Sequence, residues 1–218
     1  MKGLLMKDFK LMKNNTMFLV MVIFISIACA AGMKNPFFAL GYATALISIF
    51  SVNTIAYDEY DNGMPYLFSL PVSRKMYVKE KYVFAILISV AGLTIATIIA
   101  VGVSVFLGEQ YGIEEWIGIL ALSLFFVILI QGIILPVRMR FDSEKHKMAM
   151  LIVFGVMAAV VGAAFWAAEA CGIDLEAFFD GILLGKTWIT FTIVIVIGVI
   201  LMFVSYKLSI RFLEKREF

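Results

Sequence analysis

The chain has 218 residues, 63% of them hydrophobic and 16% charged, a balance outside the range of soluble globular domains. Six long apolar stretches take up most of that length, which leaves no room for a soluble catalytic domain. The net charge of +2 conceals a sorting along the chain, because sixteen of the eighteen Lys and Arg residues fall in the two termini and two of the connecting loops.

In chain order, Met1 to Lys13 reads as an amphipathic helix. At about 100° per residue, Leu4, Leu5, Phe9, Leu11 and Met12 share one half of the wheel and Lys2, Lys7, Lys10 and Lys13 the other, with Asp8 an intruder on the apolar side. Such a segment suits the inner headgroup layer of a bilayer; a solvated basic tail is the alternative. The apolar stretches follow at about Met17 to Met33, Phe37 to Ala56, Val83 to Leu107, Trp116 to Leu135, Met148 to Ala168 and Thr187 to Tyr206. Each approaches the roughly 17–25 residues that a helix needs to cross the hydrocarbon. The basic loops and termini then face the cytoplasm by the positive-inside rule, and Lys34 and Lys186 are left on the other side with Glu109, Glu114, Glu115, Glu169, Asp174, Glu176 and Asp180. The expected fold is all-α and integral to the membrane, a single domain over 1–218 with six spans. In the outer loop before the last span, Leu175, Phe178, Phe179, Ile182 and Leu183 recur at helical spacing and predict an outer interfacial helix, with Trp116 and Trp188 as anchors. Cys29 and Cys171 both fall near the outer face; two isolated thiols are expected, with a disulfide as the alternative.

The loop from Tyr57 to Tyr82 is too apolar for a simple connection. It opens on Asp58, Glu59 and Asp61 and then sets Met64, Tyr66, Leu67, Phe68 and Leu70 within two helical turns. Pro65 fits the first turn of a short helix, Pro71 ends it, and Ser73 can cap the next helix. A short apolar helix flanked by charge is a surface for a protein partner, with Phe68 as the expected anchor. The alternative is that it folds back on the inner leaflet.

Other chemistry is excluded residue by residue. Asp58 to Gly63 resembles the start of a calcium loop, but Tyr60 and Ser69 stand where ligands are needed. Gly181 to Thr187 is one residue short of a phosphate-binding loop and follows no strand. The one histidine, His146, stands among Glu144, Lys145 and Lys147 as a solvated helix start, and no His or Cys cluster offers a metal site. The span cores hold Gln131, Asn53 and scattered Ser and Thr but no Asp, Lys, Arg or His. That argues against an ion- or proton-coupled transporter working alone.

These features together resemble the membrane subunits of ABC-2 type ABC transporters. The segment Tyr57 to Tyr82 and the segment Phe141 to Lys147 are the most specific part of that resemblance, which covers essentially the whole chain and is greatest for the small permeases of phenol-soluble modulin exporters. It implies that Met64 to Leu70, including Pro65, Tyr66 and Phe68, is a coupling helix docked on a separate ATPase, with Asp58, Glu59 and Asp61 before it and Arg74 after it. Phe141, Glu144 and Lys145 would make the lesser contact. ATP and Mg²⁺ would be bound by the partner, leaving this chain without a cofactor or catalytic residue. The implied assembly is two ATPases with two permeases, the second a copy or a close paralogue, in a bacterial plasma membrane. Its cargo would be an amphipathic peptide, and nucleic acid has no part in it. Lantibiotic immunity, lipid export, and a passive protein that sequesters a peptide without transport are the alternatives.

Overall fold

A computed structural model describes residues 1–60, 63–109, 111–141 and 187–216, with scattered positions between 148 and 167. The chain is all-helical, with no strand among the described residues. The elements are α1 (Lys2–Asn14), α2 (Thr16–Met33), α3 (Pro36–Val52), α4 (Thr54–Glu59), α5 (Gly63–Ser69), α6 (Arg74–Leu107), α7 (Ile113–Arg140) and α8 (Thr187–Glu214). Among the described residues five helices are long and apolar enough to cross a membrane, with α3 and α4 together making one of them. Most of the expected fifth span, the outer interfacial helix and Cys171 lie outside the described residues.

Helix ends follow local chemistry. Asn35 accepts a hydrogen bond from the Phe37 amide while Pro36 opens α3, so its missing N–H costs nothing there. Ser73 caps α6 as expected, accepting from the Met76 amide at 3.2 Å. Gly108 ends α6 at φ +73°, a left-handed conformation that a side chain would strain. The helices overrun the apolar stretches that announce them. The 34 residues of α6 span about 51 Å, against about 30 Å of hydrocarbon. Its first two turns therefore extend past the apolar run, and they carry Arg74, Lys75, Lys79, Glu80 and Lys81.

Packing centres on α3, α6 and α7, with α8 laid along α7 and α2 along α3. Close approach is set by glycine at two crossings. A Cβ on Gly92 would stand 2.8 Å from Ile47, and one on Gly198 would stand 2.4 Å from Ile128. Pro136 sits inside α7 and cannot donate to the Gly132 carbonyl one turn back. That carbonyl is satisfied from outside the helix, by the Ser205 hydroxyl of α8 at 2.8 Å. Ser205 also meets the Tyr82 hydroxyl at 2.5 Å, so a hydrogen-bonded path joins α6, α8 and α7. A second buried link runs from Gln131 of α7 to Ser89 of α6, whose hydroxyl is 3.2 Å from Ser48 of α3. In an apolar surrounding, these contacts hold neighbouring helices in register.

The start of α1 and the end of α8 lie at one end of the bundle. The terminal amine of Met1 reaches the Met76 sulfur at 3.7 Å, and the Arg74 guanidinium donates to the carbonyls of Leu213 and Glu214 at 3.1 and 2.6 Å. At the opposite end, Phe37, Tyr111 and Trp116 form an aromatic cluster with centroid separations of 4.5 to 6.2 Å. It includes one of the two expected tryptophan anchors.

Candidate functional site

The charged end of the bundle is organised around α5 and its two flanks. On one flank, α4 delivers Asp58 and Glu59; on the other, α6 delivers Arg74, Tyr77, Glu80 and Lys81. Lys81 is almost wholly buried and uses all three of its donors. It bonds Asp8 of α1 at 2.5 Å and Thr54 at 3.1 Å, and pairs with Asp58 of α4 at 2.8 Å. Lys7 pairs with Asp58 as well and lies 3.4 Å from Asp8, while the Tyr77 hydroxyl donates to Asp58 at 3.0 Å. Three helices distant in sequence are thus fastened through two lysines and two aspartates. Glu80, fully buried, adds a third carboxyl with no hydrogen-bond partner among the described residues.

This cluster resolves the anomaly of Asp8. On the helical wheel it breaks the apolar face of α1, and in the fold that position is the one turned onto Lys81. The expected α1 is present, but it does more than rest on a surface. Leu4 and Asp8 are buried, Phe9 packs edge-on against Phe84 at 5.2 Å, and Leu5 and Met12 join the core between α3 and α6.

A second ionic group braces the same region. Glu59 pairs with Arg216 at 2.8 Å and with Arg138 at 3.7 Å, bringing the C-terminal segment and the end of α7 against α4. Arg140 lies over the rings of Phe141 and Phe212, at 5.2 and 5.1 Å. Together with the Lys81 cluster, these contacts brace the elements on either side of α5.

The orientation of α5 departs from the expected anchor. Met64 is buried in the core beneath it. Phe68 turns inward, edge-on to Tyr77 at 5.8 Å with Arg74 above it at 5.9 Å. The outward face holds Pro65, Tyr66, Ser69 and Leu70, and Tyr66 is 72% exposed. A seven-residue helix is too short for its apolar residues to show which side is the core. Gly63 allows the tight join between α4 and α5, since a Cβ there would stand 2.6 Å from the Asp58 carbonyl oxygen. Asp61, Glu144 and Lys145 fall outside the described residues, whereas Asp58, Glu59, Met64, Pro65, Tyr66, Phe68, Leu70, Arg74 and Phe141 lie within them. Sequence reasoning missed Lys7, Asp8, Tyr77 and Lys81 as members of this site. The one signal was the misplaced charge of Asp8 on an otherwise apolar face.

Among the described residues no group of His, Cys, Asp and Glu is arranged to hold a metal ion. Long apolar helices with a braced, outward-facing short helix at one end define a multi-pass membrane protein. The model of the ABC-2 family transporter protein matches residues 3–214, and the chain belongs to that family. Membership points to the membrane subunit of an ABC transporter, a kind of subunit that normally works with an ABC ATPase. No curated protein and no solved structure matches the chain.

Proposed function

We propose that this chain is the permease of an ATP-driven exporter of amphipathic peptides, driven through α5 by a separate ATPase. The observation that carries this reading is the outward face formed by Tyr66, Ser69 and Leu70, mounted between two ion-paired flanks. An ATPase pressing on Tyr66 would move α4 and α6 together, because Asp58, Tyr77 and Lys81 join them. Through Asp8 the same push reaches α1. Two permeases with two ATPases would alternate exposure of a cavity between them, with ATP favouring one state over the other. ATP and Mg²⁺ belong to the ATPase in this scheme.

The peptide cargo is supported by the resemblance to phenol-soluble modulin exporters and by the apolar, uncharged interior of the spans. The test is co-purification from native membranes. A tagged chain should carry an ATPase with it, and cells expressing the pair should resist an added amphipathic peptide in an ATP-dependent way. Resistance that persists with a hydrolysis-dead ATPase would favour passive sequestration instead.

We also propose six spans with both termini cytoplasmic. The ends of α7 and α8 both lie at the charged end, by the Glu59–Arg138 and Arg74–Leu213 contacts. This supports a further crossing between α7 and α8, the sixth span of the proposal. In a background without Cys29 and Cys171, cysteine at Lys75 should resist a membrane-impermeant thiol reagent in intact cells, and cysteine at Glu114 should react. Labelling at Lys75 from outside would reverse the orientation.

A further inference from the structure

We propose that the groove between α6, α7 and α8 is a binding site for an anionic phospholipid of the leaflet at the charged end. One acyl chain fills the groove, and the phosphate is held by Lys79 and Lys207. The cavity measures about 490 Å³, within the range of small-molecule sites. Its walls are apolar, from Ile86 and Val90 of α6, Leu124 and Ile128 of α7, and Val199 and Phe203 of α8.

The polar groups at its base are already engaged. Tyr82 is bonded to Ser205 and Ser209, and the Gln131 amide donates to the Ala85 carbonyl at 3.0 Å. A ligand inside would meet an almost wholly apolar lining, which selects hydrocarbon over a polar group.

The mouth is different. Lys79 lines it, four residues before the apolar run of α6 begins at Val83, and so about 6 Å outside the hydrocarbon. Tyr206 also lines the mouth, packed edge-on against Tyr82 at 5.4 Å, at the depth where tyrosines gather in membranes. Next to it, Lys207 bends back so that its ammonium lies 4.5 Å from the ring of Phe203, itself a wall residue. Neither lysine pairs with an acid among the described residues, whereas Lys7, Lys75 and Lys81 all do. Two unneutralised cations at headgroup depth over an apolar groove match a phosphate joined to an acyl chain. An amphipathic helix about 10 Å wide, with a polar face to satisfy, fits this groove poorly.

Native mass spectrometry of the full chain, purified in detergent, tests the site with phosphatidylglycerol and phosphatidylcholine of matched acyl chains. Phosphatidylglycerol should be retained more strongly, by about fivefold for each lysine. The Lys79→Gln, Lys207→Gln double variant should bring it down to the phosphatidylcholine level. Val90→Trp should fill the groove and reduce both lipids, and inorganic phosphate should not compete. All three positions are exposed, so unchanged helical circular dichroism is expected in each variant. Equal retention of the two lipids by the unaltered chain, or phosphatidylglycerol binding indifferent to either variant, would overturn the proposal. So would competition by phosphate alone, or a groove that retains an amphipathic peptide but no lipid.

Discussion

Replacing Lys81 with Met should destabilise the chain by about 3–5 kcal/mol, the cost of leaving buried charge without its partner. Methionine keeps most of the unbranched stem, so packing changes little and the loss reports the ammonium. Asp8, left with Lys7 at 3.4 Å, and Glu80, without a hydrogen-bond partner among the described residues, would then share a buried pocket with Asp58. The measurable result is a lower unfolding temperature in detergent together with faster trypsin cleavage at Lys2, Lys10 and Lys13, because α1 loses its central fastening. Adding Asp8→Asn and Asp58→Asn to Lys81→Met should recover much of the loss by removing the charges that need the lysine. An Lys81→Met chain as stable and as protease-resistant as the original would mean that the cluster does not hold α1.

Tyr66→Ala and Phe68→Ala should fail in different ways, and the contrast tests the orientation of α5. Tyr66 projects outward and touches nothing that the fold requires, so truncating it should leave membrane abundance near normal. If it enters a groove of the ATPase, docking should weaken by about 2 kcal/mol or more, roughly thirtyfold in affinity. Phe68 packs on Tyr77, whose hydroxyl holds Asp58, so its loss should lower the stability of the permease itself. Co-purification per folded permease would then fall sharply for Tyr66→Ala and far less for Phe68→Ala. The reverse pattern would restore Phe68 as the anchor and require α5 to turn over on docking.

The spans were legible in the sequence because a membrane demands a fixed length of apolar residues, and five described helices begin or end close to where that length predicts. The extension of α6 over Arg74 to Tyr82 is announced by the Ser73 cap and not by hydropathy, which measures hydrocarbon rather than helix. Which face of each span packs inward was not legible, since α2 and α7 are apolar all round and carry no periodic mark. The site was half readable. The apolar loop with its acidic and basic flanks stood out at once, as did the Ser73 cap. Lys81 is 73 residues from Asp8 and 23 from Asp58, and nothing local to it announces two distant carboxylates. The role of Ser205 is hidden for the same reason, since the carbonyl freed by Pro136 lies on another helix.

The fastening of α1 also has a consequence for the order of events at the ribosome. Asp8 is made long before Lys81, and at about 5–20 residues per second the 73 intervening residues take several seconds. During that interval α1 has no bundle to join, and its apolar face with lysines behind it can wait only at the headgroup surface. The helix therefore has two successive homes, the lipid boundary while the chain is short and the Lys81 cluster once α6 is inserted. A nascent chain arrested with residue 79 just inserted should leave α1 open to trypsin, while one arrested past residue 110 should protect it. Equal protection in both would show that α1 finds its place without Lys81.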